Sequence, residues 1–280
     1  MNTRTIAVRD YWDSCPCGSS EISPALSETE FFREHARVRY GREPGILKLA
    51  QFENWKGRRV LEIGVGMGAD FTRFRKAGAH VAGIDLSLRS LALARRNAAV
   101  HHVASPLAQA DAEALPFAAS SFDMAYAWGV LHHISSASRA LSEIHRVLKP
   151  GGECRAMLYH RVSLVAFQVY LRFGLLTGRP RSSLRDLLAR HMQSPGAQAF
   201  TRNEVKALFG QFQGVTIDPA VTAYDLRWSR RGFAPPWARR LMTKRLGWYL
   251  MVRARKARSA PGDAVCAVSW PLRADKVGTA

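Results

Sequence analysis

Residues 60–74 read VLEIGVGMGADFTRF, an apolar run that ends in three glycines spaced two apart and then continues at helical spacing. Val60, Leu61 and Ile63 have the character of a buried strand, while Phe71, Phe74 and Ala77 return to one face of a helix. The glycines therefore occupy a strand-to-helix turn. Without a Cβ, Gly64, Gly66 and Gly68 accept unusual dihedrals and let a ligand approach backbone N–H groups that a helix start leaves without partners. The pattern suits a nucleotide-type ligand, although a plain tight turn has the same composition.

Outward from this turn, strand and helix signals alternate. Strand candidates at 80–85 (HVAGID), 107–111 (LAQAD), 122–128 (FDMAYAW) and 152–159 (GECRAMLY) are separated by helix candidates at 69–77, 87–100 and 136–148, the last ended by Lys149, Pro150, Gly151 and Gly152. On the other side, Ile46, Leu49, Phe52 and Trp55 recur at spacings of three in ILKLAQFENW and predict a helix against the sheet before Gly57. Strands alternating with helices of about ten to fifteen residues imply parallel crossovers. The fold class is therefore α/β, a doubly wound, Rossmann-like, mostly parallel sheet with helices on both faces. Ligands in such sheets bind beyond the carboxyl ends of the strands. The polar residues of interest fall there: the glycine turn, then Asp85, then Asp111, then His132 and His133.

Four segments follow. Residues 1–45 form an N-terminal extension or flap, with FFREHARVRY as a short helix ending near Gly41; residues 46–160 form the core. Residues 161–200 are an insertion. Its first part, HRVSLVAFQVYLRFGLLTGRP (160–180), is apolar for about fifteen residues, broken by Gln168 and Arg172, which is short of the roughly twenty residues that span a bilayer. A lid helix is expected, with an interfacial helix touching membrane or a lipid substrate as the sharper alternative. Residues 201–280 complete the sheet: Thr201 and Glu204 make a capping box, and VTIDPAVT and GWYLMVRARK are late strands.

The chain has 280 residues, 47% of them hydrophobic, and 41 Lys or Arg against 22 Asp or Glu, for a formal charge of +19. Such an excess favours an anionic partner, whether nucleic acid, acidic lipid or a phosphorylated substrate. It is concentrated between Arg227 and Arg258, where eleven Lys or Arg and no acid are interleaved with Trp228, Phe233, Trp237, Trp248 and Tyr249. A solvated arginine-rich face is the simpler account of that segment. Four cysteines show no zinc spacing, so no metal is expected, and MNTRTIAVRDYW lacks the apolar region of a secretion signal. A cytoplasmic protein is expected, with peripheral contact to anionic membrane as an option.

Two cofactors compete for the turn. Gly64-x-Gly66-x-x-Ala69, with Asp85 twenty-one residues after Gly64, admits NAD. S-adenosylmethionine needs the same ribose-binding acid but carries no pyrophosphate, and Glu62 suits an ammonium group better than it suits phosphate. VLEIGVGMG, GIDLS, QADAEALPFAASSFD and AYAWGVLHHISSASRALSEIHRVLKPGGE together resemble the class I S-adenosylmethionine-dependent methyltransferases, in the branch with LPF and LHH motifs, over about residues 58–158. The resemblance implies a seven-stranded sheet whose last strand, GWYLMVRARK, is antiparallel. The segment YWDSCPCGSS is similar to one that folds over the cofactor in some members.

Carried onto this chain, the resemblance implies that Gly64, Gly66 and Gly68 lie under the methionine portion, supported by Glu62. Asp85 would hold the ribose hydroxyls with Leu86 against the adenine, Asp111 and Ala112 the other adenine face, and Trp128 and Gly129 the space beyond strand four. Methyl transfer from a sulfonium depends chiefly on alignment, and a base is needed only for a hydroxyl acceptor. His133 is the favoured base, ahead of His132 and His160, with Tyr159, Arg161 and Tyr11 orienting the acceptor. The segment DMAYAWG lacks the Pro-Pro-aromatic and Pro-Cys elements of nucleobase methyltransferases. A small-molecule, glycan or lipid-linked acceptor is expected, methylated at O or N sooner than at C. An RNA methyltransferase or RNA-binding protein, and an NAD-dependent oxidoreductase, are the alternatives.

Overall fold

In the computed structural model, residues 2–192, 194, 196–226 and 242–258 are described. The apolar segments read above become strands β1 (Arg59–Ile63), β2 (His80–Asp85), β3 (Leu107–Gln109), β4 (Phe122–Trp128), β5 (Leu148–Tyr159), β6 (Gln213–Ala220) and β7 (Tyr249–Arg255). They join in one sheet of order β3-β2-β1-β4-β5-β7-β6. Pairs from β3 through β5 are parallel, whereas β7 runs antiparallel to both β5 and β6, with Met157 opposite Met251. The seven-stranded sheet and the antiparallel role of the GWYLMVRARK segment agree with the expectation. The order reverses at β1 and β4, and this switch point is where an open α/β sheet leaves a crevice.

Helices cover both faces because each central strand is apolar on both sides. Val60 faces Ile46 and Leu49 of α3 (Gly45–Ala50), Phe71 and Phe74 of α4 (Ala69–Lys76) and Leu91 of α5 (Leu88–Val100). Leu61 and Ile63 face the opposite layer, with Leu141 and Ile144 of α6 (Ala137–Val147) and Val205 of α9 (Arg202–Leu208). The Thr201–Glu204 capping box is present at the start of α9.

Three local readings change. The helix expected through 46–55 stops at Ala50, since Gln51 turns left-handed (φ 49°) before a 3-10 turn at Phe52–Trp55. Buried Arg155 explains the break: its Nη1 donates to the carbonyls of Leu49 and Ala50 at 2.8 and 3.1 Å and to the Gln51 side chain at 2.9 Å. Strand β5 begins at Leu148, four residues before the expected start at 152, and runs through the Pro-Gly-Gly segment read as the end of the preceding helix. In the insertion, where one helix is expected, α7 (Leu164–Tyr170) gives way to a π-helical turn at Leu171–Leu175, and α8 (Leu184–His191) is a further helix.

The first 45 residues are more ordered than expected. Helix α1 (Thr3–Ser14) is capped by Asn2, whose side chain accepts from Thr5 N at 2.8 Å, and α2 (Glu28–Arg42) starts with a Ser27–Glu30 capping box. The first part of the basic segment, residues 227–241, lies outside the described residues. No helix among the described residues is long and apolar enough to cross a membrane.

Candidate active site

The turn after β1 is pinned to β2: Gly64 N and Val65 N donate to the Ile84 carbonyl at 2.8 and 3.1 Å. All three glycines have positive φ, and they serve two purposes. A Cβ on Gly64 would lie 2.3 Å from Val130 Cγ2, and one on Gly68 would press on the Ala94 backbone of α5 at 3.0 Å. A Cβ on Gly66 would meet nothing within 4 Å. Gly64 and Gly68 therefore permit packing, and Gly66 leaves an open cradle.

Asp85 closes that cradle. Its Oδ2 accepts from Gly66 N and its Oδ1 from Ser87 N, both at 2.9 Å, so the carboxylate is fixed while each oxygen keeps a lone pair for a ligand. Burial raises its pKa, and these backbone donors counter the shift. Asp111, after β3, is oriented by Glu113 N at 2.9 Å.

These groups wall a cavity of about 170 Å³. At one end stand the Gly64–Met67 turn, Asp85, Leu86, Asp111 and Ala112, and at the other Trp128, Gly129, His133 and Tyr159. The strand ends singled out in the sequence thus converge on one space. Two predicted residues stand behind the wall: Gly68 at the start of α4, and Glu62, whose Oε2 has no partner among the described residues. Burial, then the neighbouring Asp70 charge, raises the Glu62 pKa well above its ordinary value and keeps it protonated.

The histidines are not poised as bases. His133 Nδ1 lies 2.6 Å from Ser194 Oγ, and burial pushes its pKa down to about 3. The near-neutral basicity that favoured it is lost in this environment. His132 is fully buried, with its ring stacked 3.6 Å from that of Tyr159. Burial, followed by the charge of Glu43, holds the Tyr159 phenol protonated. His160 and Arg161 are turned away, toward the Gly247 carbonyl and Glu204.

Sequence reasoning expected the YWDSCPCGSS segment over the cofactor but did not single out the individual residues of the far wall. Thr5, Val8 and Trp12 of α1 roof the cavity, and Trp12 packs edge-on against His133 at 5.5 Å. Asp13 anchors this roof, accepting from Ser87 Oγ at 2.6 Å beside Asp85. Helix α2 and its C-cap supply His35, Arg39 and Glu43. Arg39 donates to Asp70 at 2.8 Å, and Glu43 accepts from Trp128 Nε1 at 2.8 Å and from Tyr249 Oη at 2.7 Å. Their spacing of four in HARVRYGRE, a polar stripe on one helix face, was the available signal. Cys17 also reaches the wall as a free thiol.

The fold is that of the class I methyltransferases. Residues 61–156, about a third of the chain, match the family described as a methyltransferase domain. It is 37% identical over 122 residues to malonyl-(acyl-carrier protein) O-methyltransferase of Pseudescherichia vulneris, covering 43% of this chain and 46% of that protein. It is 26% identical over 174 residues to demethylmenaquinone methyltransferase of Renibacterium salmoninarum, covering 58% and 69%. The chain thus aligns with less than half the length of the first of these relatives. Two solved structures share the fold. Phosphoethanolamine N-methyltransferase 2 of Haemonchus contortus has a TM-score of 0.60 at 19% identity, over 90% of this chain and 60% of that one. Magnesium protoporphyrin IX methyltransferase of Synechocystis has a TM-score of 0.55 at 16% identity, over 89% and 98%.

The cofactor of such a domain is S-adenosylmethionine, and the residues present fit it. Asp85 offers two oriented lone pairs to vicinal hydroxyls, Gly66 leaves the cradle open, and the unpartnered Glu62 oxygen lies behind the turn.

Proposed function

We propose that this chain is an S-adenosylmethionine-dependent methyltransferase acting on a small-molecule, glycan or lipid-linked acceptor at oxygen or nitrogen. The observation that carries the reading is the convergence of the β1, β2, β3 and β4 ends on one roofed cavity. When bound, the cofactor supplies an electrophilic methyl group on a sulfonium. The chain's own residues supply position. Asp85 takes the ribose hydroxyls, Leu86 and Ala112 take the adenine faces, Asp111 takes its exocyclic amine, and Gly64 and Gly66 admit the methionine portion. Trp128 separates this half from the acceptor half, and the α1 roof excludes water. His133 and Tyr159 orient the acceptor by hydrogen bonding and packing. Neither is tuned to carry a proton, so alignment provides the catalysis.

Peripheral contact with anionic membrane belongs to the same reading. Val162, Phe167, Leu175 and Leu176 are 54%, 58%, 44% and 75% exposed along the insertion. Residues 161–191 also carry six arginines against one aspartate. An apolar stripe edged with cations suits the boundary of an acidic bilayer.

The primary test is calorimetric titration with S-adenosylhomocysteine and, separately, NAD. The homologue of the donor is expected to bind and NAD is not, with Asp85→Ala weakening binding about tenfold or more, the scale of a lost charge-assisted hydrogen bond. Binding of NAD alone would overturn the proposal.

A further inference from the structure

We infer that Glu43 and the rings of Trp128, Tyr159, Tyr224 and Tyr249 form a subsite for an alkylammonium group carried by the acceptor. The inference rests on the proposed donor reading, because it assigns the half of the cavity which the donor leaves free.

The starting point is charge. In a chain of formal charge +19, the cavity wall carries one cationic side chain, Arg39, against four carboxylates, Glu43, Asp70, Asp85 and Asp111, among the described residues. His35 and His133 add no charge near neutral pH, since burial lowers their pKa values to about 4 and about 3. Three of the four carboxylates are accounted for. Asp85 and Asp111 face the nucleoside end, and Asp70 is fully buried against the Arg39 guanidinium at 2.8 Å. Glu43 is left. Its distance to Arg39 is 3.9 Å, so one guanidinium serves two acids and serves Asp70 better.

Glu43 is held in place by neutral donors. Trp128 Nε1 and Tyr249 Oη fix its two oxygens without cancelling its charge. Its carboxylate is felt by Tyr159, Tyr224 and Tyr249, all of which it helps to keep as neutral phenols. The rings cluster about it, with Tyr249 centred 5.7 Å from Trp128, 6.0 Å from Tyr159 and 6.4 Å from Tyr224. A carboxylate among aromatic rings is the arrangement that attracts an alkylammonium, through Coulomb attraction and the ring quadrupoles together. An anionic acceptor would be repelled there, and a neutral hydroxyl would gain nothing from the charge.

Topology places this subsite on the acceptor side. Trp128 and Tyr159 end β4 and β5 and Tyr249 begins antiparallel β7 at the same edge, whereas the nucleoside groups lie at or just after the ends of β1, β2 and β3. The donor's sulfonium is the other cation that would enter the cavity, and the experiment separates the two sources.

Choline and its uncharged isostere 3,3-dimethylbutan-1-ol would be titrated into wild type, Glu43→Gln and Tyr224→Leu, each with and without saturating S-adenosylhomocysteine. Wild type is expected to bind choline at least about tenfold tighter than the isostere, the factor that a cation–ring contact of moderate strength produces. Glu43→Gln should remove that preference while holding S-adenosylhomocysteine within about threefold, and Tyr224→Leu should weaken choline with Glu43 intact. Equal affinity for choline and the isostere in wild type would overturn the inference, as would a preference that survives Glu43→Gln. Glu43→Gln weakening S-adenosylmethionine but not S-adenosylhomocysteine, with no choline binding, would assign the charge to the sulfonium and overturn the acceptor assignment. Failure of wild type to bind S-adenosylhomocysteine would instead remove the donor reading, and the choline arm without cofactor would still decide the subsite.

Discussion

Acidification should destabilise this protein through His35, and the size of the effect follows from its burial. His35 is 6% exposed on the cavity wall, and burial followed by the Arg39 charge lowers its pKa from 6.5 to about 4. The unfolded chain therefore binds a proton between those values that the folded chain does not. A lowered folded pKa contributes stability that is fully present above 6.5 and is lost as pH falls toward 4. Between pH 7 and pH 5 the loss from this one group is about 2 kcal/mol, at 1.36 kcal/mol per pKa unit. The whole-protein slope also contains His132 and His133 with the same sign, and Glu62, Asp85 and Asp225 with the opposite sign. For Asp225, whose pKa is raised to about 6, the stabilising contribution is present below 3.8 and lost as pH rises through 6. Comparison with His35→Gln isolates the single group. Urea unfolding followed by tryptophan fluorescence at pH 7 and pH 5 should show a pH-dependent loss about 2 kcal/mol smaller in the variant. Equal losses in the two proteins would refute the reasoning.

Gly64→Ala and Gly66→Ala should behave differently although both glycines have positive φ. The first places a methyl 2.3 Å from Val130 Cγ2 and should cost about 1–3 kcal/mol of overpacking beyond the conformational strain. The second meets open space, so it should lose S-adenosylhomocysteine affinity with a smaller loss of stability; equal urea midpoints for the two variants would contradict this contrast. Wild type should sediment with acidic vesicles at low salt and be released by salt or by Phe167→Ser with Leu176→Ser, and no sedimentation at low salt would remove the membrane proposal.

The strand ends were legible because apolar runs, helical spacing and the glycine turn each follow from local chemistry. The placement of Asp85 and Asp111 at or just after strand ends was legible for the same reason. Helix α1 was hidden: only Thr5 and Val8 are buried in it, and its place depends on the distant contact of Asp13 with Ser87. The break at Gln51 was hidden as well, because the cause is Arg155, more than a hundred residues away. His133 misled for the opposite reason. Its position was read correctly, but its basicity is set by the enclosing Ser194 and Trp12, which adjacency in sequence does not reveal.

The single stripe of His35, Arg39 and Glu43 makes α2 a shared wall: Arg39 grips Asp70 at the start of α4, and one turn later Glu43 grips the ends of β4 and β7. A rigid rod that touches both halves of a cavity cannot be shifted at one end alone. Under the proposed reading, ligands in the two halves would share α2 as a common support, and any factor one lent to the other would be returned in full. In the proposed reaction, exchange of a sulfonium for a neutral thioether would remove one positive charge facing that rod, leaving Glu43 one competitor fewer for a cationic acceptor.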